Sequence, residues 1–169
     1  MPPSYEFSDV DDFACGTVGP KGRRVFFLQV REGTVEASLK MEKQQMAALA
    51  RFLGEMLGDI ERKRVASAAP ERPAATPEEA DFREPDQPDW IVGTIGAAYE
   101  ETNSRIILWL EELTKDDEAE AASARIALSP GQVAGFVEQA NALVAAGRPP
   151  CAYCGAPLNH DDGFCPCWN

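Results

Sequence analysis

The fold is decided by one short apolar stretch, residues 25–30, which read VFFLQV. The stretch is rich in β-branched and aromatic residues, is too brief for a typical helix and is bounded by turn signals, so it predicts a central strand. Residues 106–110, IILWL, have the same character and predict a second central strand. Glycine supplies the positive φ of a tight reversal, so Glu32-Gly33 predicts a hairpin after the first strand. The acidic insertion at residues 114–123 predicts a longer hairpin loop after the second.

Each group of strands is followed by a helical pattern. Apolar residues at spacings of three and four predict a helix from about Glu42 to Lys63. These residues are Met46, Leu49, Leu53, Leu57 and Ile60. A second helix is predicted by the same spacing of Val133, Phe136, Val137, Ala140 and Val144. Ser129 is placed to cap this second helix, with Pro130 at its first position, where a missing amide costs nothing.

The two halves of the chain share an order of predicted elements. Residues 16–19, GTVG, precede the first central strand, and residues 93–96, GTIG, precede the second. Chance similarity between two amphipathic stretches is the alternative explanation. The shared order predicts an α+β fold, in which two tandem strand-strand-strand-helix repeats form one antiparallel sheet layer with two helices.

A proline-rich segment divides the chain. Residues 66–89 consist mainly of Ala, Pro, Glu and Asp, a composition that predicts an extended linker or a long loop. The predicted organisation is a first repeat at 1–65, the linker at 66–89, a second repeat at 90–148 and a tail at 149–169. Phe82 is the one large apolar side chain of the linker and either docks locally or has no role.

The tail carries four of the five cysteines, Cys151, Cys154, Cys165 and Cys167. A Cys-x-x-Cys-Gly turn places two thiolates on one side of the backbone, and four thiolates predict a closed, structural Zn²⁺ site, a zinc knuckle. His160 is the alternative fourth ligand, in a site with Cys151, Cys154 and Cys165. Two disulfides, or redox catalysis by the first two cysteines, are the remaining explanations.

Charge and the lack of targeting signals limit the partners and the compartment. The 16 basic and 28 acidic residues leave a net charge of −12, which disfavours contact with nucleic acid or an anionic membrane surface. No export signal and no run of about 18 apolar residues is present, so the sequence predicts a cytoplasmic protein that does not enter a membrane. Thiols stay reduced there, which favours metal binding by the tail. Cys15 lies in a predicted strand and is expected to be a small buried residue.

The sequence contains no recognisable catalytic device. His160 is the only histidine, no Gly-x-Ser-x-Gly motif occurs, and the glycines at 16–22 lack the Lys-Ser/Thr pair of a phosphate loop. Charged clusters are expected to be solvated, namely residues 21–24, 62–64, 100–101 and 111–112. We therefore expect no catalytic and no cofactor-binding residue outside the zinc site.

Four stretches taken together resemble a known family. They are GTVGP at 16–20, FFLQVREG at 26–33, EKQQ at 42–45 and AGRPPC at 146–151. The chain resembles an uncharacterised actinobacterial family, domain of unknown function 3090, which implies relatives without naming a reaction. Members of that family usually end in Cys-x-x-Cys-Gly followed by Gly-His-x-Cys-Pro-Arg, whereas this chain has GFCPC at 163–167. The departure favours Cys167 as the fourth ligand.

The expected function is that of a non-catalytic zinc-binding protein, an interaction or adaptor module for a protein partner. One alternative is an enzyme or a small-ligand-binding protein with its site between the two repeats. The other is a nucleic-acid-binding zinc-knuckle protein, although the net charge counts against it.

Overall fold

The computed structural model describes residues 2–67, 74–117 and 119–146. Three strands and a helix follow a first short strand, and three more strands and a second helix come after them. The strands are β1 Tyr5–Phe7, β2 Asp12–Val18, β3 Val25–Glu32, β4 Val35–Met41, β5 Trp90–Glu100, β6 Arg105–Glu112 and β7 Ser123–Leu128. The helices are α1 Lys43–Ala66 and α2 Pro130–Ala145. The protein is thus of the mixed α+β class, as the sequence predicts.

All seven strands form one sheet in the order β1-β7-β6-β5-β4-β3-β2. Four pairs of neighbouring strands are antiparallel, but β4 pairs with β5 in parallel and β1 pairs with β7 in parallel. The expectation of a wholly antiparallel sheet is therefore wrong. Strand β4 can lie parallel to β5 because the chain between them includes a whole helix, and parallel neighbours need a long crossover connection.

Strand β1 was not predicted, since three residues are too few to show a periodic pattern. Tyr5 lies opposite Ala124 and Phe7 opposite Ile126, so β1 completes one edge of the sheet. Strand β2, only four residues further along the chain, forms the opposite edge. The sheet must therefore curve to bring its two edges within reach of each other.

The concave face of the sheet, here called the inner face, packs against both helices. Its buried strand residues include Phe13, Leu28, Leu39, Leu108, Leu110 and Ile126. Helix α1 contributes Met46, Leu49 and Leu53, and helix α2 contributes Val133, Phe136 and Ala140. The rings of Phe13 and Phe136 stack with their centroids 4.5 Å apart, which joins α2 to the edge strand β2.

Glutamine side chains fix where both helices begin. Ser129 caps α2 as predicted, because its Oγ accepts a hydrogen bond from the Gln132 amide at 3.1 Å. The Gln132 side chain also donates to the Val10 carbonyl at 2.6 Å, which ties α2 to the segment before β2. At α1, the side-chain Nε2 of Gln45 donates to the Val92 carbonyl at 3.1 Å, which ties the start of α1 to β5.

Removal of the Phe136 ring tests the role of this stack in stability. Phe136 is completely buried, so we expect Phe136→Ala to lower the free energy of unfolding by about 3–5 kcal/mol, the usual cost of a buried Phe→Ala change. Chemical denaturation followed by circular dichroism measures the change. Phe52→Ala is the matched control, because Phe52 is 47% exposed on α1. Equal losses for the two variants would contradict the packing described here.

Candidate functional site

On the convex face of the sheet, here called the outer face, a segment of the chain covers β2 and β3. Residues 74–89, here called the strap, follow α1; the strap first contacts α2 through Glu78 and then crosses β2 and β3. The segment predicted to be an extended linker or a long loop is, in this described part, held against the rest of the protein. Within the described residues, no hydrogen bond of the strap reaches β6 or β7, where Ile107 and Ala127 are buried and Trp109 is exposed.

Phe82 anchors the strap. A Cβ added to Gly16 of β2 would lie 2.1 Å from the Phe82 ring, so the ring rests directly on the glycine backbone. Only a residue without a side chain leaves room for this contact. Of the two roles that the sequence left open for Phe82, the structure shows local docking.

Gln29 holds the strap by its main chain. Its side-chain amide donates to the Arg83 carbonyl at 2.8 Å, and its side-chain oxygen accepts from the Arg83 amide at 2.9 Å. The same amide group donates to Ser38 Oγ at 3.0 Å, and Gln29 is only 2% exposed. Burial of a primary amide is tolerated because its hydrogen-bonding groups find partners. Gln29 thus pairs with an extended segment as a neighbouring strand would.

Both the strap and α2 contact the edge strand β2. The Asp81 amide donates to Asp12 Oδ1 at 3.4 Å, and Gln139 of α2 accepts from the Cys15 amide at 2.9 Å. Further back, the Glu78 amide donates to the Gly131 carbonyl at 3.0 Å, which binds the strap to the start of α2. Of these contacts, the one from the Cys15 amide uses a backbone group that an open sheet edge would offer to another chain, and it is made by α2.

The half of the outer face formed by β5 and β6 exposes three large apolar side chains. We call this surface the outer strip, and it consists of Ile91, Trp109 and Leu113, which are 37%, 43% and 60% exposed. Trp109 lies directly opposite Gly96 on β5 and Arg125 on β7. A Cβ added to Gly96 would meet nothing within 4 Å, so the space above this glycine is open.

The basic cluster at the end of α1 is paired with acidic side chains. At the end of α1, Arg62 pairs with Asp59, Arg64 with Glu61, and Lys63 Nζ lies 3.8 Å from Glu101 Oε1. The hydrogen bond from Arg64 holds the pKa of the Glu61 carboxyl below its usual range. Glu112 accepts a hydrogen bond from the Ala122 amide at 3.1 Å. The basic helix end therefore has acidic neighbours that reduce its attraction for an anionic ligand.

The predicted zinc ligands Cys151, Cys154, Cys165 and Cys167, and the alternative ligand His160, lie outside the described residues. Within the described ranges, no group of three or more His, Cys, Asp and Glu side chains is arranged to hold a metal ion. Cys15 is buried as predicted, and burial raises the pKa of its thiol to about 12. It is therefore a packing residue and not a reactive thiol.

The structure does show where the tail begins. Arg24 immediately precedes β3. Its Nη1 donates to the Ala146 carbonyl, just after α2, at 3.4 Å. The chain thus leaves α2 beside the basic turn at 21–24, on the surface of the molecule.

Similarity to known proteins gives this chain relatives but no activity. A family model described as a protein of unknown function (DUF3090) matches residues 5–165 of the 169. The chain belongs to the DUF3090 family. The DUF3090 match spans the sheet, the strap and the tail as far as Cys165, and it stops before Cys167.

No curated protein and no solved structure is significantly similar to this DUF3090 chain. Neither helix in the described part of the chain combines the length and the apolarity that a membrane-crossing helix requires.

Sequence reasoning missed the roles of Gln29, which binds the strap, and of Trp109, which is exposed on the outer face. Strand alternation offered a signal for both, because Leu28 and Leu108 face the core and their next neighbours must face outward. A large apolar residue at an outward position of a strand marks either a covered face or a contact surface. The alternation alone does not say which of the two outer halves is covered.

Substitution of two glycines by alanine tests how the strap is anchored. We expect Gly16→Ala to displace the Phe82 ring and to speed tryptic cleavage after Arg83, because the added Cβ and the ring cannot share the same space. Gly96→Ala is the matched control, since its Cβ enters open space on an equivalent strand. Limited proteolysis followed by mass spectrometry measures the rate. The anchoring described here is wrong if both variants are cleaved after Arg83 at the rate of the parent protein.

Proposed function

We propose that this protein is a non-catalytic interaction module that binds a protein partner and carries one structural Zn²⁺ in its C-terminal tail. The outer strip is the observation that carries the proposal. Ile91 and Leu113 are neighbours, because the Leu113 amide donates to the Ile91 carbonyl at 2.7 Å, and Trp109 lies on the same face, two outward positions away from Leu113. Exposed apolar side chains on one sheet face commonly mark a protein contact surface. Another part of the same outer face is covered by the strap, so this face is of the kind that takes a polypeptide.

The spacing of the tail cysteines supports the zinc site. Cys151, Cys154, Cys165 and Cys167 give four thiolates within one short segment, and His160 is the alternative to the last of them. A segment this short with few apolar residues gains most of its folding free energy from the metal. The proposal places the protein in the cytoplasm, where the thiols stay reduced.

The junction between the two sets of strands supports the interaction module over a ligand pocket between repeats. Strands β4 and β5 are joined through the pairs Leu39–Trp90 and Lys40–Ile91. Trp90 is buried there, and its ring nitrogen donates to the Pro3 carbonyl at 2.9 Å. The Gln45 side chain of α1 donates to the carbonyls of Val92 and Gly93, further along β5. Protein side chains thus fill the place where the alternative requires a groove.

We also propose that the two sets of three strands and a helix are tandem copies of one unit. The support is their register of pairing. Leu28 on β3 has Cys15 and Leu39 as its neighbours, and Leu108 on β6 has Ala97 and Ile126 in the same relation. Each central strand therefore lies between an earlier and a later antiparallel strand, with inward residues at matching positions.

Metal analysis tests the zinc site. We expect about one equivalent of zinc per chain in protein purified without chelator, and loss of most of it in Cys151→Ser, because a thiolate ligand is removed. Cys15→Ser is the matched control, since Cys15 is a buried free cysteine of the sheet. Mass spectrometry of the metal content gives the ratio. Cys167→Ser compared with His160→Ala then identifies the fourth ligand, and a parent protein without zinc refutes the site.

Photo-cross-linking in the cell that makes the protein tests the contact surface. With p-benzoylphenylalanine in place of Trp109, we expect one discrete adduct heavier than the chain, because the outer strip touches the partner. The same probe in place of Phe52, which is equally exposed on the helical side, is the control and should give no such adduct. Equal adducts from both positions, or none from position 109, would argue against a partner at the outer strip.

A further inference from the structure

We propose that the surface beneath the strap is a peptide-binding groove, which the strap occupies within its own chain and which a partner protein enters with an extended segment of the same pattern. That pattern is an acidic residue followed four positions later by an aromatic residue. The groove lies on a different part of the outer face from the outer strip. The inference therefore goes beyond the proposed function and does not depend on it.

The floor of the groove is formed by small and polar residues of the outer face. Ala14, Gln29 and Ser38 form one row across β2, β3 and β4, and Gly16 and Phe27 belong to the next row. All five residues are buried, although they point away from the core between the sheet and the helices. The strap contacts two of them directly, Gly16 and Gln29.

The groove binds the main chain of its occupant. Gln29 donates to the Arg83 carbonyl at 2.8 Å and accepts from the Arg83 amide at 2.9 Å, whereas the side chain of Arg83 is 60% exposed. On α2, the Glu78 amide donates to the Gly131 carbonyl at 3.0 Å, and the Glu78 carbonyl lies where a Cβ on Gly135 would be. Recognition of an extended main chain is a common mode of peptide binding. Another polypeptide can therefore make the same contacts.

Two side chains of the strap define the pattern. The ring of Phe82 rests on Gly16, where an added Cβ would overlap it. Four positions earlier, a carboxylate oxygen of Glu78 lies 3.4 Å from the hydroxyl of Ser129, the residue that caps α2. A carboxylate is stabilised at this end of a helix by the helix dipole. The occupant is thus an extended segment with an acidic group at one end and an aromatic anchor at the other.

Few buried side chains hold the strap in the groove. Its side chains at positions 76–79, 81, 83 and 84 are exposed, and Phe82 is only partly buried. The hydrogen bond from the Asp81 amide to Asp12 is long, at 3.4 Å. Segments with few buried apolar contacts open at a lower free energy than the core does. The strap therefore acts as an internal competitor, which a partner segment displaces.

Binding of a synthetic strap peptide by the full-length chain tests the groove. The probe is a peptide of residues 74–89 that carries fluorescein, and fluorescence anisotropy measures its affinity. Phe82→Ala in the protein removes the anchor of the internal strap but leaves the groove intact. We expect this variant to bind the peptide about tenfold more tightly than the parent protein does, as the transfer of an aromatic ring from water implies. The same change in the peptide should weaken its binding to the variant.

Gly16→Ala separates release of the strap from binding in the groove. This change also displaces the internal ring, but its Cβ fills the place that the ring of the peptide needs, so no gain in affinity is expected. Gly96→Ala, added to the Phe82→Ala variant, is the matched control and should leave the affinity unchanged, because its Cβ enters open space. Arg83→Pro removes the amide from which Gln29 accepts, and it should give the same gain as Phe82→Ala.

Four results would overturn the groove. The first is an affinity for the peptide that does not rise from the parent protein to the Phe82→Ala variant. The second is a Gly16→Ala variant that binds as tightly as Phe82→Ala does. The third is loss of affinity when Trp109→Ala is added to Phe82→Ala, which would place the peptide on the outer strip. The fourth is loss of the native circular dichroism spectrum in both Phe82→Ala and Arg83→Pro, which would make the strap an integral part of the fold.

Discussion

The shape of the sheet depends on the short connection between its two edges. Strand β1 lies at one edge and β2 at the other, yet only residues 8–11 separate them along the chain. Seven strands laid flat would hold the edges about 29 Å apart, whereas the five Cα steps from Phe7 to Asp12 span at most about 18 Å. The sheet therefore curves, and it does so around the two helices. The concave face gains a core that includes Phe13, Phe136 and Leu108.

In the described part of the chain, no helix packs on the convex face of the curved sheet. A three-layer protein would place helices there, but the two helices in the described part of the chain are on the concave side. The strap supplies cover for half of that face by means of one aromatic ring on Gly16 and the amide of Gln29. On the other half, Ile107 and Ala127 are buried whereas Trp109 is exposed. The asymmetry between two similar halves is what makes the outer strip a candidate contact surface.

The sequence correctly predicts the features that depend on a local pattern of residues. The central strands, both helices, the cap at Ser129 and the burial of Cys15 all follow from periodicity or turn chemistry within a few residues. Features that depend on contacts between distant parts of the chain could not be predicted from the sequence. Strand β1 is too short to show a pattern, and the parallel pairing of β4 with β5 depends on how far apart the chain places them. The docking of the strap leaves almost no trace in composition, because Gln29 binds main-chain atoms that every residue has.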